Sequence, residues 1–499
     1  MAAERDTALR LRAFLEGKPV PRLERRPIPV SAADDRLLMA FVRMGGESSP
    51  WGIAWKRGKH ATKVRMVPEA RRRSDVAEMA AELSDELAAH FDLDASSLRQ
   101  VWIPGATHAE MLHFLSLRYT RAKKADPAVL ERLNRLGRRC GQLFDSTQNP
   151  NSAVCVDVTA RLRELLAFPC EPIRESHLGF LMAWLGKGNR DERAEKAKTA
   201  EALPVSTSLD PIVERDLATH VENWNDAASD AAKKPHGERI CKVLEVELRR
   251  RLELLESAIA AYKDAAPENR GTREIVSASM AELRRHDGWE DVANEGFTKS
   301  PETDHSPITA ATAYAHRDAD MIAARAALVP YDRASQEELI AGGSAFQGDV
   351  LSVEEIALTS RKKRIEAVVA VDGTLPLRLR LQDKVVVAGD HESNNTWTIT
   401  TIRDDAAKGL RYITLRSSSA DPGGPPVRRG AAGVMFHENY DPELRRQLGG
   451  RVTDTQRMAE DGEALGAWIL ENLARREPRD AAPDTEHFDG ATTRVSDDG

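Results

Sequence analysis

The sequence predicts a multi-domain, mainly α-helical protein with an α+β module toward the N-terminus and a small β-barrel of the SH3-like or OB type toward the C-terminus. Three observations predict it. A chain of 499 residues exceeds the size at which a single hydrophobic core keeps growing. The stretch from about 126 to 345 carries apolar residues at helical spacing. Residues 350–437 then change to the short alternating runs of strands, separated by turn chemistry.

The elements follow in order. Residues 1–30 read as a short helix and a Pro- and Arg-rich arm, KPVPRLERRPIPV, because each proline biases its predecessor toward extended backbone. An α+β module fills 31–122. Its strands are expected at Leu37–Met44, Trp51–Trp55 and Thr62–Val67, and a helix runs from Ser74 to Phe91 on Val76, Met79, Ala80, Leu83 and Leu87. A fourth strand, Arg99–Ile103, ends at Pro104-Gly105, and Thr107 opens the next helix. A helical bundle domain is expected over 123–345. In it Asp126-Pro127 and Asp210-Pro211 each place a capping acid before a proline at the first helical position. Its clearest helix spans His236 to Tyr262, with Ile240, Val243, Leu244, Leu248, Leu252, Leu255 and Ile259 forming the seam of a bundle or helical hairpin. The small barrel is placed at 346–440, with a hairpin at Asp372-Gly373 between Arg364–Val371 and Leu377–Leu381 and further strands at Val385–Val387, Trp397–Ile402, Arg411–Leu415 and Val434–Phe436. C-terminal helices over 441–476 and an acidic, disordered tail over 477–499 complete the reading.

The order strand, strand, strand, helix, strand, helix over the α+β module resembles the first half of a ribonuclease-H-like fold. That resemblance implies carboxylates on the first strand, the first helix and the fourth strand, where they would hold catalytic Mg²⁺. Neither LLMAFVRM nor RQVWI contains one, so the order is expected without the acidic site.

Absent motifs exclude whole classes of chemistry. The chain has no GxxxxGK[ST], no GxGxxG after a strand, no GxSxG and no HExxH. AGGSAFQG, 341–348, reads as a linker because it lacks the lysine of a phosphate loop. Glu110 and His113 share the Glu-x-x-His spacing of di-iron bundles, with His108 nearby, yet Thr107 and Glu110 also make a capping box. Cys170 and His177 lack a third group to orient the base. The four cysteines form no CxxC pair, so neither a disulfide scaffold nor a zinc ribbon is expected. No cofactor and no metal follow from these residues.

Charge supplies the positive signal. Residues 1–75 hold 17 Lys and Arg against 9 Asp and Glu, residues 361–430 hold 13 against 8, and the whole chain is net −7. The candidate nucleic-acid-binding residues are Arg71, Arg72, Arg73, Arg361, Lys362, Lys363, Arg364, Arg378, Arg380 and Arg411, extended by Lys384, Arg428 and Arg429. Trp51, Trp55, Trp397, Tyr412 and Phe436 are the aromatics on which bases could stack. The expectation is a cytoplasmic, non-catalytic accessory or scaffold subunit whose partners are other protein subunits and, through the basic module and barrel, DNA or RNA. No run reaches the roughly 20 apolar residues of a membrane span. A purely protein–protein scaffold and an enzyme without a linear motif are the alternatives.

Overall fold

The computed structural model describes residues 2–22, 27–44, 49–70, 73–92, 97–123, 126–149, 152–266, 270–294, 329, 332–359, 362–388, 396–418 and 427–438. The C-terminal helices and acidic tail expected beyond 440, and the loop expected at 297–309, lie outside them.

The first sheet contains β2 (Arg36–Val42), β3 (Gly52–Arg57), β4 (Lys63–Met66), β5 (Gln100–Ile103) and β6 (Cys155–Asp157), in the order β4-β3-β2-β5-β6. β2, β5 and β6 are mutually parallel along this order, whereas β3 runs antiparallel to β2 and β4. Every residue of β5, and all of β2 but Arg36, is buried. That is the signature of strands covered on both faces, and it explains why they read as continuous apolar runs instead of alternating ones. A two-residue strand pair, β1 (Val20–Pro21) with β7 (Leu166–Ala167), ties the N-terminal arm to the body.

Helices pack around this sheet. They are α1 (Ala2–Glu16), α2 (Arg73–Phe91), α3 (Ala106–Tyr119), α4 (Pro127–Gln148), α5 (Val158–Leu165), α6 (Leu178–Leu185), α7 (Arg190–Glu201), α8 (Pro211–Asp226), α9 (Asp230–Ala265) and α10 (Arg270–Asn294). Asp126 and Asp210 cap α4 and α8 ahead of prolines, each accepting from the second helical N–H. The stripe of α9 is buried as its spacing requires, but it seats on β2, β3 and β4 as well as on neighbouring helices. Gly52 in β3 makes this approach possible: a Cβ there would lie 2.8 Å from Leu248 Cδ1. One hydrophobic core therefore runs from Ile28 to Ile275, through sheet and helices alike.

After α11 (Arg333–Ala341), six strands form a second sheet: β8 (Ala345–Thr359), β9 (Lys362–Asp372), β10 (Lys384–Val387), β11 (Trp397–Asp405), β12 (Leu410–Ser417) and β13 (Val434–Glu438). They pair antiparallel in the order β10-β11-β12-β9-β8-β13, and β13 also pairs with β10. Val350, Val369, Trp397, Ile399, Ile413, Leu415 and Phe436 fill its interior.

The predicted fold class is corrected on two counts. The chain is mixed α/β rather than mainly α: the described residues hold thirteen strands beside eleven helices, and the largest core is built on a sheet. The C-terminal strands are not a small barrel of the SH3-like or OB type either, because an OB-fold is five-stranded and partly open, whereas here a sixth strand pairs on both sides and β8 alone has 15 residues. Two segments depart from the expected pattern. β6 lies inside the stretch expected to be helical, since three residues are too few to show alternation. The Gly-rich stretch at 341–348, read as a linker, runs into β8. Asp372-Gly373 does not close a hairpin with Leu377–Leu381: β9 pairs with β8 and β12, and 376–380 is a loop in which Leu379 is buried and Arg378 and Arg380 are exposed.

Candidate functional site

The cations that stand together in the sequence are separated by their partners in space. Arg10 donates to Asp6 at 2.7 Å and to the buried Glu175, which also accepts from Arg22. Lys56 meets Glu256 at 2.8 Å, Lys63 meets Glu86 at 2.6 Å, Arg65 pairs with Glu82, and Arg99 pairs with Asp35. Glu82, Glu86, Glu175 and Glu256 all lie beyond residue 75 in the sequence, so the basic excess of the first segment is compensated by carboxylates from later elements. Trp51 and Trp55 are core residues, 3% and 2% exposed, and offer no stacking platform.

In the C-terminal sheet the outcome is mixed. Arg411 Nε is 2.6 Å from Asp404, Arg416 is 3.2 Å from Glu366 and Lys408 is 3.5 Å from Asp405. Trp397 and Phe436 are interior, while Tyr412 carries the Arg403 guanidinium 5.3 Å above its ring. Arg378, Lys384, Arg428 and Arg429 are exposed and make no ion pair among the described residues. Arg380 is exposed as well, its backbone N–H bonded to Asp383. Lys362 and Lys363 open β9 opposite the end of β8, with Arg364 next in the strand facing Ile356. Arg71, Arg72 and Arg361 lie outside the described residues, and Arg73 begins α2.

At the carboxyl ends of β5 and β6 lies a crevice of about 430 Å³, lined among others by Gly105, Thr107, Thr159, His177, Glu201 and Asp210. Such crevices are where α/β sheets bind ligands. α3 begins there with Gly105, which supplies no side-chain cap, so the capping box expected of Thr107 and Glu110 does not form. Thr107 is instead inside the helix, and its hydroxyl accepts from Thr207 N–H at 3.2 Å.

A strap, residues 203–208, crosses beside this crevice and over the end of β2. Arg43 N–H donates to Thr207 O at 2.7 Å. His108 bridges strap and strand: Nδ1 accepts from Phe41 N–H at 3.1 Å, and Nε2 donates to Val205 O at 3.0 Å. Burial lowers its pKa to about 3, keeping the ring neutral as that pattern demands. Arg251, fully buried, donates to Ser206 O at 2.9 Å, Ser208 O at 2.8 Å and the Glu247 carboxylate at 2.7 Å. Burial brings its pKa down to about 10, so it stays charged at neutral pH.

The remaining sequence candidates have structural roles. His113 is exposed and lies against Phe144 with ring centroids 4.4 Å apart and planes inclined at 30°, and Glu110 faces solvent. His177 caps α6, accepting from Phe180 N–H and donating to Leu203 O, which occupies both ring nitrogens. Burial, with Glu175 nearby, pushes the Cys170 thiol up to about 12, the opposite of an activated nucleophile.

No protein-family model, no curated protein and no solved structure matches the chain.

Sequence reasoning missed a second cleft, about 550 Å³, between α3, α4 and α10. Asp145 and Glu282 line it with Arg138 and Arg285, and burial raises the pKa of both carboxyls. They lie on helices far apart in the chain, so no linear motif could join them. Upward-shifted carboxyls in a cleft mark it as a candidate binding site, on the general ground that perturbed groups cluster at functional sites. Among the described residues no helix is long and apolar enough to cross a membrane.

Proposed function

We propose that the chain is a non-catalytic accessory subunit that contacts DNA or RNA through cations of its C-terminal sheet, while the sheet-and-helix body organises protein partners. The observation that carries this reading is a contrast. Cations of the first 99 residues are repeatedly matched by carboxylates, whereas Arg378, Lys384, Arg428 and Arg429 are exposed with no such partner among the described residues. Counterion release rewards only charges that are free to meet phosphates, since an ion-paired arginine must first give up its carboxylate. In this reading the body contributes organisation: β2 and β5 bring no carboxylate to their carboxyl ends, and the strap crosses the end of β2.

The test is binding of a generic 25-base-pair duplex and the matching single strand, read by fluorescence anisotropy. Replacing Arg378, Lys384, Arg428 and Arg429 together by alanine is expected to weaken binding strongly. Replacing Lys63 and Arg65, which are salt-bridged, should leave it nearly unchanged. Wild-type protein that ignores both ligands, or a quadruple variant that binds as wild type does, overturns the proposal.

A further inference from the structure

We propose that His220 of α8 and His236 of α9 form a two-histidine site for a borderline transition-metal ion of the Zn²⁺, Ni²⁺ or Cu²⁺ class. Their Nδ1 atoms are 3.1 Å apart, with ring centroids separated by 5.4 Å and planes inclined at 46°. The rings are therefore tilted, not stacked, and they approach each other through a single nitrogen each. Zinc–imidazole bonds are about 2.0–2.1 Å long, so an ion bound to both nitrogens would see them at an angle of about 98°. That falls between square-planar and tetrahedral values, and imidazole suits these metals and not Mg²⁺ or Ca²⁺.

Both rings are half-buried, so ion and water can reach them. The helices around them are held by other contacts, which fixes the separation before any ion arrives. One turn before His220, Asp216 faces Arg239 at 3.4 Å, and Arg239 lies one turn beyond His236. At the other end of the contact, Lys233 lies 5.1 Å from the centroid of the Trp224 ring, and Gly237 packs against the same tryptophan. Among the described residues no group of three His, Cys, Asp or Glu side chains is placed to hold an ion. The remaining coordination positions consequently go to water or to a donor from a bound partner, and the ion would clip α8 to α9.

The competing account is a single N–H···N hydrogen bond between the imidazoles, which also fits 3.1 Å. The experiment separates the two. Full-length, untagged protein is stripped with chelator and titrated with NiCl₂, ZnCl₂ and, as a control, MgCl₂ by isothermal calorimetry at pH 7.5. One Ni²⁺ or Zn²⁺ per chain is expected, with no Mg²⁺. His220→Ala and His236→Ala should each lose that ion, whereas His60→Ala, at an exposed histidine, should keep it. His236→Gln, which can still hydrogen-bond, should stay folded by circular dichroism yet also lose the ion. Absence of a stoichiometric ion in wild-type protein, or retention of it by either alanine variant, overturns the site.

Discussion

Replacing Arg251 by alanine tests what holds the strap across the end of the first sheet. The guanidinium is fully buried and satisfies Ser206 O, Ser208 O, Glu247 O and the Glu247 carboxylate through four donated bonds of 2.7–3.0 Å. Hydrogen bonds to charged groups contribute about 1.5–3 kcal/mol each. They do not add here, because Glu247 keeps Arg250 at 2.8 Å and the strap can relax toward water. Removing one partner of a buried ion pair costs about 3–5 kcal/mol, and that range is the expected loss. Urea unfolding should show a lower midpoint with unchanged slope, and amide exchange should accelerate first at Arg43, whose N–H donates to Thr207 O, and at Thr207, whose N–H donates to the Thr107 hydroxyl. A loss below about 1 kcal/mol, or unchanged exchange at those two amides, would refute the claim that Arg251 fastens the strap.

Three further outcomes are expected. His90 and His108 are buried with pKa values lowered to about 3 by desolvation, below the unfolded value near 6.5. The unfolded chain therefore binds more protons between those limits. Stability should be complete above about pH 6.5 and fall on acidification with a slope of up to about 1.4 kcal/mol per pH unit for each histidine, measured by urea midpoints from pH 7 to pH 4. Gly137→Ala places a Cβ 2.2 Å from Thr120 N where α3 and α4 meet, so a loss of about 1–3 kcal/mol is expected in thermal unfolding, and none if the helices can part freely. Glu175→Ala strips Arg10 and Arg22 of their shared buried carboxylate, and limited proteolysis should then release α1 ahead of the rest of the chain.

Much of the fold was legible because period reports burial. The stripe of α9, the strands β3 and β12 and the caps Asp126 and Asp210 all follow from spacing and local chemistry. β6 escaped because a three-residue parallel strand beside an apolar neighbour shows no alternation. β8 escaped behind its glycines: Gly348 lies where a Cβ would sit 2.2 Å from Ala370 O, so it marks a close strand approach and not a linker. Charge was the least legible quantity. A window of sequence counts Lys63 and Arg65 as free, while the fold brings Glu86 and Glu82 against them from the next helix. The His220–His236 pair was invisible for the same reason, since the chain turns back on itself between α8 and α9 to join residues 16 positions apart.

The salt dependence of binding to duplex DNA tests the central claim most directly. Each phosphate neutralised contributes about −0.9 to the slope of log K against log[salt]. Loss of Arg378, Lys384, Arg428 and Arg429 should flatten that slope by up to about 3.6, while loss of Lys63 and Arg65 should leave it as in the wild type. Equal slopes for wild-type protein and the quadruple variant would contradict the account.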